Sequence, residues 1–262
     1  MDYEIQKQLD RIEQETGAEI LYACESGSRM WGFASTDSDY DVRFIYAHAK
    51  ARYLSVSPPN DNMKTAIGNL DIVGWDIYKA LRLARNSNPS LLEWMRSPIV
   101  YRQPSPIFKT TMADIIANQW SLRSCAHHYF SMAKKNWHGY LCKTVAPCLK
   151  KYLYCIRPCL CAIHILETKT LPPILFEDLL NSTTGIEGIP TPTRTDIYDL
   201  LERKRKGGEV TTGPRITRLD ALIVTAFVRA SQVSLDLPHR RVGDELLDAL
   251  LTELLEEDST DE

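Results

Sequence analysis

Apolar residues near the start of the chain fall at Ile5, Leu9 and Ile12 among charged neighbours. This spacing predicts an amphipathic helix over residues 2–16, ended by Gly17. The pattern then changes: "AEILYAC" reads as a short buried strand, and "YDVRFIYA" alternates with β-branched and aromatic residues, the texture of a second strand. "SVSPPNDN" reads as a loop, "LDIVGWDI" as a third strand, and "YKALRLARNS" as a helix stopped at Asn88-Pro89. "SLLEWMRS" restarts briefly before Pro98, and "PIVYRQPSP" closes the first half.

From residue 107 onward the texture is helical, with few strand signals. "IFKTTMADIIANQWSLRSCAHHYFSMAKKNW" and "LKKYLYCIRPCLCAIHILE" are the strongest helical stretches, and Pro158 is expected to kink or interrupt the second. "PPILFEDLL" adds a short helix and "NSTTGIEGIPTPTRT" reads as a loop or linker, while "IYDLLERKRKGG" and "ITRLDALIVTAFVRASQVS" complete a helical second half. The fold class expected is α+β: a mixed sheet with helices over residues 1–106, an all-α domain over 107–255, and a disordered acidic tail over 256–262.

Composition adds little to this picture, and charge adds more. An apolar fraction of 44% suits a chain with a buried core. No apolar run approaches the length that crosses a bilayer, and Met1-Asp2-Tyr3-Glu4 is acidic and polar, so a soluble, cytoplasmic protein with no membrane partner is expected. The net charge of -3 hides an asymmetry: no acid lies between Asp114 and Glu167, whereas Arg123, Lys134, Lys135, Lys143, Lys150, Lys151 and Arg157 all do. A basic block in an acidic chain points to a local anionic ligand. "ERKRKGGEV" reads either as a loop for an RNA backbone or as a solvated helix end. Five of the seven cysteines fall within Cys142–Cys161, between His138 and His164. They include no C-x-x-C pair and sit in a run with the apolar density of a buried helix, so packed core is favoured over a metal site.

The chemistry concentrates in "ESGSRMWGFASTDSDYDV", residues 25–42. Gly27-Ser28 follows a strand and precedes a helical turn, where backbone N–H groups can cradle a phosphate. Asp39 and Asp41 are two residues apart, so both are expected on one strand face, where like charges repel unless a cation lies between them. A third acid on a neighbouring strand, Asp71 or Asp76, would complete a site for hard divalent cations. Residues five apart on a regular strand face opposite sides, so only one of the two joins unless a bulge intervenes. Asp71 sits mid-strand with apolar neighbours, and Asp76 is also placed to cap the helix "IYKALRLA". Glu25 reads as a structural hydrogen-bonding residue and Ser38 as one that orients the acidic strand. Lys150, Tyr154 and Arg157 lie at i, i+4 and i+7, with Lys151 beside them. That stripe would neutralise phosphates and stack a base, or else form a solvated face, and Lys134, Lys135 and Asn136 are weaker candidates of the same kind.

These blocks carry a resemblance. "GS" followed by "DSDYD", with an acid on a later strand, resembles the nucleotidyltransferase superfamily related to DNA polymerase β. "ESGSRMWGFASTDSDYDVRFIY", "GWDIYKALRLARNSNPSLLEW" and "KKYLYCIRPCL" are similar to predicted nucleotidyltransferases of the YcgL/RlaP type, associated with RNA ligases and RNA repair. The resemblance spans residues 20–180. It implies nucleotide binding by Gly27 and Ser28, and metal ligation by Asp39, Asp41 and Asp71 (slightly favoured, as the acid placed like the superfamily's third) or Asp76. It supports the phosphate reading of Lys150, Lys151, Tyr154 and Arg157, while Arg29 either packs the turn against the sheet with Trp31 and Phe33 or touches phosphate. The activity expected is template-independent transfer of NMP from an NTP such as ATP to a hydroxyl, an RNA end foremost, with two Mg²⁺ ions (Mn²⁺ able to substitute) and release of pyrophosphate. The alternatives are a protein-modifying, AMPylating transferase of the antitoxin type and an inert nucleotide- or RNA-binding module.

Overall fold

The computed structural model describes residues 1–184, 191–207, 212–233 and 237–257. In chain order its elements are α1 (Asp2–Thr16), β1 (Ala18–Glu25), α2 (Gly27–Met30), β2 (Tyr40–His48), α3 (Lys50–Tyr53), β3 (Asn62–Ile67), β4 (Leu70–Asp76), α4 (Ile77–Arg85), α5 (Pro89–Trp94) and β5 (Val100–Arg102). Then follow α6 (Pro106–Asp114), α7 (Leu122–Asn136), α8 (Lys150–Thr168), α9 (Phe176–Ser182), α10 (Thr191–Gly207), α11 (Thr217–Val233) and α12 (Asp244–Glu257). They divide into two compact units. The first comprises Met1–Met30, Asp39–Trp120 and Arg240–Glu262, and the second comprises Trp31–Ser38 and Ser121–His239.

The first unit holds a five-stranded mixed sheet in the order β3-β4-β2-β1-β5, in which β2 and β4 run parallel and the other pairs antiparallel. Alternation along β2 assigns the faces. Val42, Phe44 and Tyr46 pack with Ile5 and Leu9 of α1 on one side. Ile45 and Ala47 meet Ile77, Leu81, Leu91, Trp94 and Phe108 on the other. α1 ends at Gly17 as its spacing predicts, with φ at 64° and the Gly17 N–H donated to the Glu13 carbonyl. Two strands carry no strong sequence signal: β3 is a largely exposed edge strand, and β5 is only three residues long. An edge strand with one exposed face needs no apolar alternation, so "NMKTAI" does not announce itself.

The long helical stretch expected after residue 107 is not continuous. α6 passes into a single π-helical turn, Ile115–Gln119, and Ser121 then caps α7 by accepting the Ser124 N–H. Phe108, Met112 and Ile115 bury in the sheet's core, and so do Leu247, Leu250, Leu254 and Leu255 of α12. Residues 107–120 and 240–257 therefore group with the sheet. Glu256 and Glu257 of the expected tail close α12, and residues 258–262 lie outside the described residues.

In the second unit, α8 runs through Pro158 without the interruption that was one of the two expected outcomes. Proline offers no N–H to the Tyr154 carbonyl four residues earlier, and the Asn136 amide supplies the missing donor at 2.7 Å. Cys155, Cys159 and Cys161 are buried on α8 as core residues, and burial pushes the Cys159 thiol up. His164 is also inside, with Nδ1 2.9 Å from Ser182 Oγ and Nε2 2.9 Å from Thr170 Oγ1. α10 begins at Thr191, so the end of the expected linker is helical, while residues 185–190 lie outside the described residues. Among the described residues no helix is long and apolar enough to cross a membrane.

Candidate functional site

In the first unit the polar residues gather at one end of the sheet, where β1 runs into the Gly27 turn and β2 begins. Asp41 of β2 lies directly across from Asp71 of β4 in the parallel register. Asp41, Arg43, Asp71 and Val73 share the face whose other end is apolar, by the period of two. The pairing of β2 with β4 runs regularly from Tyr40–Leu70 to Tyr46–Asp76, so Asp76 faces the opposite side from Asp71. Asp76 is instead buried as the N-cap of α4: its carboxylate accepts the Tyr78 N–H and the Tyr53 hydroxyl, each at 2.8 Å. The capping role that the sequence offered for Asp76 is the one the fold uses.

Arg43 lies between the two facing carboxylates. Its Nη2 donates to Asp41 Oδ1 and to Asp71 Oδ2, each at 2.8 Å, and its Nη1 donates to the carbonyls of Asp71 at 2.7 Å and Val42 at 3.1 Å. Adjacent like charges need a cation between them, and here a side chain supplies it. The chain pattern held the clue, since Asp41 and Arg43 sit two apart on one strand. Burial pushes the Asp41 carboxyl above its ordinary value, Arg43 opposes that shift, and the charges of Asp71 and Asp39 add to it. Asp39 itself precedes β2 and is exposed.

The small residue at position 27 is dictated by Asp41. Gly27 has φ at 59°, and a Cβ built there would lie 1.9 Å from Asp41 Oδ2. Ser28 is buried in the single turn α2. Arg29 stacks over the Tyr40 ring at 3.6 Å and donates from Nε to the Asp39 carbonyl at 3.2 Å. Glu25, fully buried, accepts the Asp41 N–H at 2.8 Å and the Tyr101 hydroxyl, which is the structural role expected of it. Burial pushes its carboxyl up.

Among the described residues, no three His, Cys, Asp or Glu side chains are gathered closely enough to hold an ion. The donor set nevertheless fits a hard divalent cation. Asp41 and Asp71 face each other across neighbouring strands, and carboxylate oxygens are the ligand type such a cation takes.

The expected basic stripe lies on α8 in the second unit, and it is no solvated face. Arg157 is 2% exposed, with its guanidinium 4.2 Å over the Trp31 ring and Nη2 donating to the Ile174 carbonyl at 3.5 Å. Tyr154 meets Trp31 and Phe33 edge-on, and Lys151 lies 4.0 Å over the Tyr140 ring. Lys150 is half-buried at the start of the helix. Lys204, which belongs to the basic run considered for RNA, is only 4% exposed: it donates to Ser38 Oγ at 3.1 Å and lies 5.7 Å over the Phe33 ring. Its spacing from Ile197, Leu200 and Leu201 puts it on the buried face of α10, and that spacing was legible in the sequence. Ser38 is held in turn by Ser35, whose Oγ is 2.9 Å away. Asn136, considered for phosphate, is occupied at Tyr154.

A family model described as "RlaP: RNA repair pathway DNA polymerase beta family" matches residues 1–253. The chain is 38% identical over 240 residues to a protein of Bacillus subtilis (strain 168) described as "Uncharacterized protein YcgL", covering 90% of this chain and 89% of that one. A crystal structure of a nucleotidyltransferase-like protein from Exiguobacterium sibiricum overlaps 96% of this chain and 80% of its own, at 12% identity and a TM-score of 0.29.

Proposed function

Because the chain belongs to the RlaP family, the DNA polymerase beta family of an RNA repair pathway, we propose that it is a template-independent nucleotidyltransferase that moves NMP from an NTP to an RNA end. The observation that carries this reading is the apposition of Asp41 and Asp71 on neighbouring strands beside a turn that admits only glycine at position 27. In it the Gly27-Ser28 turn holds the phosphates with backbone N–H groups, and Arg29 neutralises part of their charge. Asp39, Asp41 and Asp71 would hold Mg²⁺ or Mn²⁺, which when bound offsets phosphate charge and lowers the pKa of the attacking hydroxyl. Glu25 accepts the Asp41 backbone N–H and so helps hold the start of β2 beside the Gly27 turn. The hydroxyl oxygen of the acceptor forms a bond to the α-phosphorus, the bond to the bridging oxygen of pyrophosphate breaks, and the hydroxyl proton leaves to a carboxylate or to water. Asp76 is assigned no part in the chemistry.

The test incubates the protein with labelled NTPs, Mg²⁺ and either RNA or total protein, beside Asp41→Asn and Asp71→Asn. Label on RNA that falls by about 10²-fold or more in either variant is the expected result, since such ligands supply several kcal/mol of transition-state stabilisation. Label on a polypeptide would replace the RNA acceptor by a protein one, and nucleotide binding without transfer would leave only a binding module.

A further inference from the structure

The Arg43 guanidinium takes a hydrogen-bond position on both of the carboxylates assigned to the metal, and resting on the transferase reading we propose that it is a built-in competitor that keeps divalent-cation binding weak until a nucleotide is present. The guanidinium is held at four oxygens rather than hanging in solvent. Nη1 is anchored on the backbone carbonyls of Asp71 and Val42, and Nη2 bridges Asp41 Oδ1 and Asp71 Oδ2. Its side chain is 15% exposed, so its charge is poorly screened by water. A backbone-anchored fork of this kind does not swing away readily, because both carbonyls would lose a charged donor.

Two consequences follow for a cation arriving at the pair. One oxygen of each carboxylate is already bonded to Arg43, and Asp41 Oδ2 lies against the Gly27 backbone, so an arriving cation meets a partly occupied pair. Asp71 Oδ1 also has Lys64 Nζ at 3.9 Å, a second positive group on the same carboxylate, although that lysine is largely exposed and counts for less. The two negative charges of the pair are also halved by the positive charge between them, so a divalent ion meets less attraction than the acids alone would supply. A triphosphate restores the deficit by bringing its own negative charge and oxygen ligands. Metal occupancy is thereby tied to nucleotide occupancy, and Arg43 acts as a positioning residue through the two aspartates.

The experiment measures Mn²⁺ affinity by electron paramagnetic resonance on the full chain, with and without a non-hydrolysable NTP analogue, for the wild type, Arg43→Gln and Arg43→Lys. The expected result is that Arg43→Gln binds Mn²⁺ about tenfold more tightly than the wild type without nucleotide. The gap should close when the analogue is added. Arg43→Lys keeps the charge but cannot fork across two carboxylates and two carbonyls, so its affinity should fall between the other two, and it serves as the deciding variant if Arg43→Gln does not fold. Unchanged or weaker Mn²⁺ binding in the deciding variant, with wild-type transfer intact, would overturn the role of Arg43 alone. A wild type that binds no Mn²⁺ even with the analogue would overturn the transferase reading and this inference with it.

Discussion

Gly27 and Asp41 leave no room between them for a methyl group, and that single contact explains why the small residue sits where it does. Gly27→Ala should lose transfer activity and destabilise the protein by about 1–3 kcal/mol, because it combines a clash with a strained positive φ; urea unfolding beside the transfer assay checks both. The acids separate by role at the same scale. Asp76→Ala should lower stability by about 1–2 kcal/mol through the lost cap while the chemistry of the folded fraction persists. Asp41→Asn should do the reverse, keeping the fold and losing transfer. His48 offers a pH test away from the site. It packs edge-on against Tyr46, and burial, aided by Arg52, lowers its pKa. The unfolded chain therefore binds more protons than the native one between the lowered value and the ordinary one, near 6.5. Stability rises with pH through that window and falls on acidification. His48→Phe, which keeps a ring and removes the titration, should flatten that fall in the thermal midpoint measured against pH.

At the scale of elements, α8 shows how a proline is accommodated inside a helix. The apolar spacing of "LKKYLYCIRPCLCAIHILE" was sufficient to predict the helix and insufficient to predict its continuity. The repair comes from α7, where Asn136 donates to the Tyr154 carbonyl that Pro158 leaves without its helical partner. Asn136→Ala should lower stability by about 1–3 kcal/mol by orphaning that carbonyl. Pro158→Ala in the same chain should recover part of the loss, because an alanine there restores the backbone donor. A double-mutant cycle that gave additive effects instead would contradict this account.

At the scale of the whole molecule, the C-terminal helix belongs with the N-terminal sheet. α12 places Leu247, Leu250, Leu254 and Leu255 in the core beside Ile77, Leu81 and Phe108. Leu250→Ala should therefore cost about 2–5 kcal/mol in the unit that carries Asp41 and Asp71, as measured by chemical denaturation. The sequence divided the chain at residue 106, where the texture changes; the fold divides it after Met30, Ser38, Trp120 and His239.

The sequence by itself determined the elements whose apolar period is strong, the glycine turn followed by the acidic pair, and the two-sided parity that kept Asp71 and Asp76 from sharing a face. Local geometry and short-range like-charge repulsion govern those features, and both are read along the chain. Tertiary structure alone decided that Asp71 faces Asp41 and that Arg157 turns inward onto Trp31. It also decided that Asn136 serves a carbonyl eighteen residues away. Each of those depends on which segments pair across long separations, where burial and hydrogen-bond satisfaction are settled by neighbours that no local period specifies.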